Sequence, residues 1–195
     1  MIRKSICNIY FIIAIISILL AGFVFLSDCQ EKKDENASGD SLFQIQVIFH
    51  DQTNRPFRLQ SLAGKPAIVA IFYTRCRSIC PRITADMRRI ESLLQSKTDV
   101  SFVMISIDPD TDTPETLLSF SRKNGLDGWI LLNGKKEDVR LLSAALNFRY
   151  AKENSGEFNH SRAIVLLDAK GIPVYRESGL QENGKKFKEE IDKLL

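Results

Sequence analysis

Two cysteines four positions apart, Cys76 and Cys80, are the residues of this 195-residue chain whose types and spacing best suit chemistry. At the start of a helix, residues four apart lie on one side, where two thiols can oxidise together or bind one soft metal ion. Pro81, directly after the second cysteine, suits a first helical turn because its missing N–H costs nothing there. The pair alone is equally compatible with a structural disulfide or with two inert buried thiols.

The residues around the pair predict thiols that are more acidic than a free cysteine. Residues 67–73 form an apolar run typical of a strand buried on both faces, and helical spacing of apolar residues follows it. Cys80 is therefore expected at a helix N-terminus, where the helix dipole favours a thiolate. Arg75 and Arg77 add positive charge on both sides of Cys76.

His160 is a candidate third ligand, and the only other histidine is His50. We expect His50 to be solvated in a polar turn, and His160 taken alone is typical of a surface or hydrogen-bonding histidine. Together with two thiolates, however, one imidazole completes a small and soft donor set. Such a set suits copper, chiefly Cu(I), whereas a zinc site normally has a fourth ligand.

The remaining pattern predicts alternating strands and helices around one parallel strand-helix-strand unit with a right-handed crossover. Asp108 is the first residue after a buried strand, at the sheet edge where ligands usually bind, so it is a candidate acidic neighbour of the thiols. A purely structural role for it stays open. Strands are predicted at residues 43–49, 67–73, 100–107, 129–132, 148–151, 163–167 and 172–175, helices at 78–94, 114–123, 139–146 and 185–195, and a polar loop at 152–159.

The N-terminal segment predicts export. Arg3 and Lys4 precede an apolar run at residues 9–26, which fits a signal peptide or an N-terminal membrane anchor. Positive charge stays on the cytoplasmic side, so the domain is expected to face the periplasm or another extracytoplasmic space. Cys29 ends a segment that resembles a bacterial lipobox and is the lipidation candidate. The alternative is an uncleaved transmembrane helix with an incidental cysteine.

Length and charge predict one folded domain and argue against nucleic acid as a partner. About 150 residues beyond the leader are enough for a single hydrophobic core. The net charge of +3 is spread along the chain and forms no basic patch. We predict a leader at residues 1–28, a flexible tether at 29–41 and a folded domain at 42–195.

Residues 72–87, 105–115, 127–134 and 160–171 together resemble the Sco/SenC family of thioredoxin-like, copper-binding factors for cytochrome c oxidase assembly. The resemblance implies an α/β fold with a central mixed sheet flanked by helices. It implies Cys76, Cys80 and His160 as the ligands of copper, Cu(I) or Cu(II), and Asp108 as the acidic residue near the site. It also implies the copper-accepting subunit of cytochrome c oxidase as a partner.

Two departures from the family pattern bear on thiol reactivity and partner recognition. Arg77 and Ser78 stand where many members have proline and an acid, and Asn159 stands where an aspartate is usual. The alternative function is therefore a thiol–disulfide oxidoreductase that reduces the cysteines of a partner protein. In it Cys76 attacks, Cys80 resolves the mixed disulfide, and a thioredoxin-like reductant regenerates the pair. A peroxiredoxin-type peroxidase is disfavoured, because Tyr73 occupies the place of that family's threonine.

Overall fold

The computed structural model describes residues 40–96, 99–180 and 184–195. The predicted leader, most of the predicted tether and Cys29 lie outside these ranges. Within them, no helix has the length and apolar character that crossing a membrane requires. The elements in chain order are β1 (Phe49–Asp51), β2 (Pro56–Phe57), β3 (Ala67–Phe72), α1 (Cys80–Leu93), β4 (Ser101–Ser106), α2 (Pro114–Lys123), β5 (Ile130–Asn133), α3 (Lys136–Ala145), β6 (Tyr150–Lys152), β7 (Phe158–His160), β8 (Ile164–Leu167), β9 (Pro173–Glu177) and α4 (Lys185–Asp192).

A mixed sheet organises the described residues, with the strand order β2-β1-β5-β4-β3-β8-β9. The central strands β3, β4 and β5 are parallel, and β8 lies antiparallel to β3 on its other side. Helix α1 connects β3 to β4, which confirms the predicted strand-helix-strand unit. The carboxyl ends of β3 and β4 therefore meet at one edge of the sheet, and the cysteine loop begins there.

The core lies on both faces of the central strands. Every residue of β3 and of β4 is buried, as their continuous apolar runs predict. Phe72, at the end of β3, packs against Phe120 of α2 with ring centroids 5.3 Å apart. Trp129 is a core aromatic, stacked on Phe102 at 5.1 Å. Thr113 caps α2 by accepting a hydrogen bond from the Thr116 N–H at 3.3 Å, so this helix begins at Pro114.

The prediction of a strand at residues 43–49 is largely wrong. Leu42–Gln44 forms a 3₁₀ helix, and the hydroxyl of Ser41, its N-cap residue, accepts from the Phe43 N–H at 3.2 Å. The Leu42 N–H donates to the Gly171 carbonyl at 2.9 Å, and the Phe43 ring covers Gly171 so closely that a Cβ there would lie 2.7 Å from it. These long-range contacts outweigh the alternating pattern, and only Phe49–Asp51 forms a strand.

The polar loop predicted at residues 152–159 is shorter than expected, because β6 and β7 pair as a separate antiparallel hairpin. Tyr150 pairs with His160 and Lys152 with Phe158. The strands are three residues each and mostly polar, so their pattern gives little signal. His160 is consequently the last residue of a strand, opposite Tyr150, rather than a residue at a simple junction between loop and strand.

Candidate metal centre

The loop between β3 and α1 presents one thiol, and the first residue of α1 presents the other. Cys76 follows a turn in which its N–H donates to the Tyr73 carbonyl at 3.2 Å, and its side chain is partly exposed. Cys80 is the first residue of α1 and is buried, and Pro81 lies in the first turn as predicted. Ile79, at the N-cap, has no side-chain acceptor to offer the helix. The Cys76 sulfur takes that role, since it accepts the Cys80 N–H at 3.3 Å.

His160 reaches this loop from the hairpin. Its ring is buried, and Nδ1 lies 3.2 Å from the Ser161 carbonyl oxygen. A carbonyl can only accept, so Nδ1 carries a proton and donates it, which leaves Nε2 to interact with the two sulfurs. Nε2 is also the ring nitrogen that faces the cysteines, as a metal ligand must.

The structure brings together the three residues singled out in the sequence. His160 Nε2 lies 3.4 Å from Cys80 Sγ and 4.0 Å from Cys76 Sγ, and the three donor atoms are all within 4.8 Å of one another. A trigonal ion with metal–sulfur and metal–nitrogen bonds of about 2.3 and 2.0 Å, the zinc values, separates sulfur from nitrogen by about 3.7 Å. The observed distances lie on either side of that value, and both thiols are reduced. The donor set therefore fits a small, soft ion of low coordination number.

The two thiols differ sharply in acidity, so the expectation that both are acidic is half wrong. Burial raises the pKa of Cys76, but hydrogen bonds from His160 and from the Cys80 N–H outweigh it and hold that pKa at about 6. Burial raises the pKa of Cys80 far above its ordinary value, and the neighbouring Cys76 raises it further. At neutral pH the partly exposed Cys76 is therefore mainly a thiolate, and the buried Cys80 is a thiol.

Asp108 contacts the cysteine loop through an arginine. It is 2% exposed, and its Oδ2 accepts from Arg75 Nη2 at 2.7 Å. This partner turns Arg75 towards β4, and Arg77 is exposed to solvent. The principal causes that lower the Cys76 pKa are thus hydrogen bonds, rather than the two arginines on which the sequence prediction relied.

Asp112 is a buried residue of the site region that sequence reasoning missed. Its carboxylate accepts from the Thr74 N–H at 3.0 Å, the Ser106 hydroxyl at 2.6 Å and the Thr74 hydroxyl. Burial raises the pKa of Asp112 and these hydrogen bonds oppose the rise. The residue thereby ties the start of the cysteine loop to the end of β4. Asp108, Asp110 and Asp112 stand close together in the sequence, but their spacing alone does not distinguish the one that is hydrogen-bonded to the cysteine loop in this way.

Tyr73 joins the loop to the hairpin, which the sequence also did not indicate. Its hydroxyl accepts from the Phe158 N–H at 3.3 Å. Its ring packs against Phe158 at 5.3 Å and meets His160 edge-on at 5.9 Å. His50 takes no part in the cluster, because it lies in β1 opposite Asn133 of β5. It is exposed, as predicted, but it lies in a strand rather than in the predicted turn.

The central mixed sheet, its flanking helices and the Cys-Cys-His cluster at its edge define a thioredoxin-like protein with a candidate metal site. The SCO1/SenC family model matches residues 35–195, and the chain belongs to that family. This confirms the resemblance read from the sequence motifs.

Individual relatives agree with this assignment. The chain is 32% identical over 174 residues to the SCO1 protein homolog of Bacillus subtilis, covering 84% of this chain and 88% of that protein. A Stutzerimonas stutzeri protein, named as a candidate copper-binding protein, is 34% identical over 137 residues, which are 66% of this chain and 64% of that protein. The structure of a SCO1/SenC family lipoprotein from Bacillus anthracis matches with a TM-score of 0.69 and 29% identity, covering 75% and 91% of the two chains. Relatives and donor set together point to copper.

Proposed function

We propose that this protein binds one copper ion as Cu(I) through Cys76, Cys80 and His160 and delivers it to the copper-accepting subunit of a cytochrome c oxidase. The observation that carries the proposal is the convergence of the three donor atoms within 4.8 Å, although Cys80 and His160 lie 80 positions apart in the chain. Two sulfurs and one imidazole are a soft set that favours Cu(I). The name of the Stutzerimonas relative supports the same metal.

The unequal exposure of the ligands suits a cargo ion that must leave again. Cys80 and His160 are buried, whereas Cys76 is partly exposed, so an acceptor's ligand has access from the Cys76 side. The low pKa of Cys76 provides one thiolate at neutral pH, and the raised pKa of Cys80 means that its proton must leave when the ion binds. Copper binding is therefore expected to release about one proton per chain near pH 7.

We further propose that the folded domain is held at the outer face of a membrane. The apolar run at residues 9–26 and the lipobox-like segment ending at Cys29 support an anchor or a lipid. The Bacillus anthracis neighbour is described as a lipoprotein. A tether at residues 29–41 would then let the domain at 42–195 reach a membrane-bound acceptor.

The test is Cu(I) titration of the full-length chain in mild detergent, in competition with a chromophoric Cu(I) chelator. We expect about one ion per chain, loss of binding in Cys76→Ser and Cys80→Ser, and at least about 100-fold weaker binding in His160→Ala. His50→Ala is the matched control, because it removes the histidine that lies outside the cluster. Affinity unchanged in His160→Ala would contradict the ligand set.

A second candidate function is thiol–disulfide exchange, favoured by one acidic, accessible thiol beside one buried, protonated thiol. The Cys76 thiolate would attack a partner disulfide, form a mixed disulfide and release one partner thiolate. Cys80 would then lose its proton and attack the Cys76 sulfur, releasing the second partner thiolate. The pair becomes a disulfide and the partner gains two electrons, and its two thiolates take up the proton from Cys80 and one proton from water. A thioredoxin-like protein would supply the electrons that restore the pair.

The two functions are separable by their dependence on Cys80 and on copper. In the exchange reaction Cys80→Ser should trap the mixed disulfide, which non-reducing electrophoresis detects with a disulfide-containing partner protein. In copper binding the same substitution should release the ion. Turnover of a protein disulfide by the metal-free chain would establish the exchange activity, and no trapped species with Cys80→Ser would count against it.

A further inference from the structure

An ion pair fastens the segment that follows His160 to the helix that begins at Cys80. Arg162 Nη2 lies 2.8 Å from Asp86 Oδ2, and Asp86 belongs to α1. The pair is only partly exposed, with 36% of the arginine side chain and 18% of the aspartate side chain accessible. One partner is therefore two residues from the imidazole, and the other is in the same helix as the buried thiol.

We propose that Asp86 and Arg162 are positioning residues that hold the His160 imidazole over the two sulfurs. The inference rests on the proposed copper site, since it concerns the third ligand of that site. Neither residue touches the donor atoms. Their effect is exerted through the backbone that follows His160 and through helix α1, which begins at Cys80.

The guanidinium of Arg162 is confined on more than one side. Gly179 lies beneath it, and a Cβ at that position would come within 2.7 Å of Arg162 Cζ. The Leu180 N–H donates to the same Asp86 Oδ2 at 3.4 Å. Arg162 Nε is buried and has no hydrogen-bond partner within the described residues. Asp86 thus gathers the segment after His160 and the segment after β9 onto α1, and it supplies the charge that neutralises Arg162.

The hairpin that bears His160 needs such fastening. A two-stranded hairpin is marginally stable by itself, and β6 and β7 pair only with each other. On one side of His160, the Phe158 N–H is bonded to the Tyr73 hydroxyl. On the other side, the Asp86–Arg162 pair holds the chain. The imidazole is therefore fixed between two attachments, one to each end of the cysteine-bearing segment.

The test is Cu(I) affinity of the full-length chain, measured by chelator competition, in a double-mutant cycle with His160. Asp86→Asn keeps the side-chain shape and removes the charge, and we expect about tenfold weaker binding, the lower end for residues that support metal ligands. In the His160→Ala background the same substitution should have no further effect, because the imidazole that it positions is gone. Asp192→Asn, which breaks the Lys188–Asp192 ion pair of α4, is the matched control and should leave the affinity unchanged.

The double-mutant cycle with His160 and a second pair of variants distinguish a positioning role from a merely structural one. Arg162→Gln should weaken binding to the same extent as Asp86→Asn, and Arg162→Lys should restore most of the affinity. Circular dichroism confirms that each variant is folded at the temperature of measurement, and if Asp86→Asn is not, Arg162→Gln takes its place in the cycle.

The outcomes distinguish this inference from the proposed function. Equal losses from Asp86→Asn with and without the imidazole, or no loss at all, would overturn the positioning role while leaving the copper site intact. A wild-type affinity in His160→Ala would instead overturn the ligand set and the positioning role together.

Discussion

The most informative perturbation is a change of pH, because it reports directly on the contacts of Cys76. With a pKa of about 6, roughly 90% of Cys76 is thiolate at pH 7, against roughly 3% of an ordinary cysteine with a pKa near 8.5. A less basic thiolate is also a weaker nucleophile, by about tenfold over this interval. The net expectation at pH 7 is alkylation about threefold faster than that of a free cysteine.

The shape of the pH profile is a sharper signature than the rate. Between pH 5 and pH 7 the alkylation rate of Cys76 should rise about tenfold and then level off, whereas that of an ordinary cysteine rises about 100-fold and continues to rise. The assay is pulsed iodoacetamide labelling of the reduced, metal-free chain, followed by peptide mass spectrometry. Cys80 should stay unlabelled across this range, since it is buried and its pKa is raised.

Removal of the imidazole tests the cause. The hydrogen bond from His160 lowers the pKa of Cys76, so its loss in His160→Ala should raise that pKa and move the midpoint to higher pH. Labelling at pH 7 should then fall. His50→Ala, at the exposed histidine of β1, should leave the profile unchanged. A wild-type midpoint above pH 8, or one that does not move in His160→Ala, would refute this reasoning.

Three further predictions concern stability. Asp112→Asn should lower the free energy of unfolding by about 2–4 kcal/mol, because it perturbs a fully buried hydrogen-bonded carboxylate. Urea titration measures the change. The control Asp110→Asn, at an exposed position of the same loop, should alter the free energy of unfolding little. The folded pKa of Cys76 is depressed to about 6, so ionisation of this thiol stabilises the folded state fully above about pH 8.5, and this contribution is lost as the pH falls through 6. Cys76→Ser lacks the contribution at every pH. Its free energy of unfolding should therefore approach that of the reduced, metal-free wild type at low pH. A stability difference that is constant with pH would contradict this. Gly134→Ala should cost about 1–3 kcal/mol, since the added Cβ would lie 2.5 Å from the buried Phe49 ring, and an unchanged thermal midpoint would oppose it.

The sequence predicts the central fold well because local pattern and tertiary environment agree there. The apolar runs of β3 and β4 are long enough to be buried on both faces, and Pro81 marks the start of α1. The pattern fails where single long-range contacts decide the structure. At residues 43–48 the docking of Leu42 on Gly171 outweighs an alternating pattern typical of a strand.

The composition of the site was predictable, but its chemistry was only partly so. Residue types and motifs single out Cys76, Cys80 and His160, which the structure brings together. The acidity of each thiol depends on burial and on hydrogen-bond geometry, which spacing alone does not fix. Asp112 is likewise one of several aspartates in the sequence, and only the fold buries it.

X-ray absorption at the copper edge, on the full-length chain loaded with one equivalent of Cu(I), tests the central claim most directly. The account predicts two sulfur neighbours and one imidazole nitrogen in the wild type, with the nitrogen absent from His160→Ala and retained in His50→Ala. A wild-type ion bound by sulfur alone, or a nitrogen contribution that survives in His160→Ala, would contradict it.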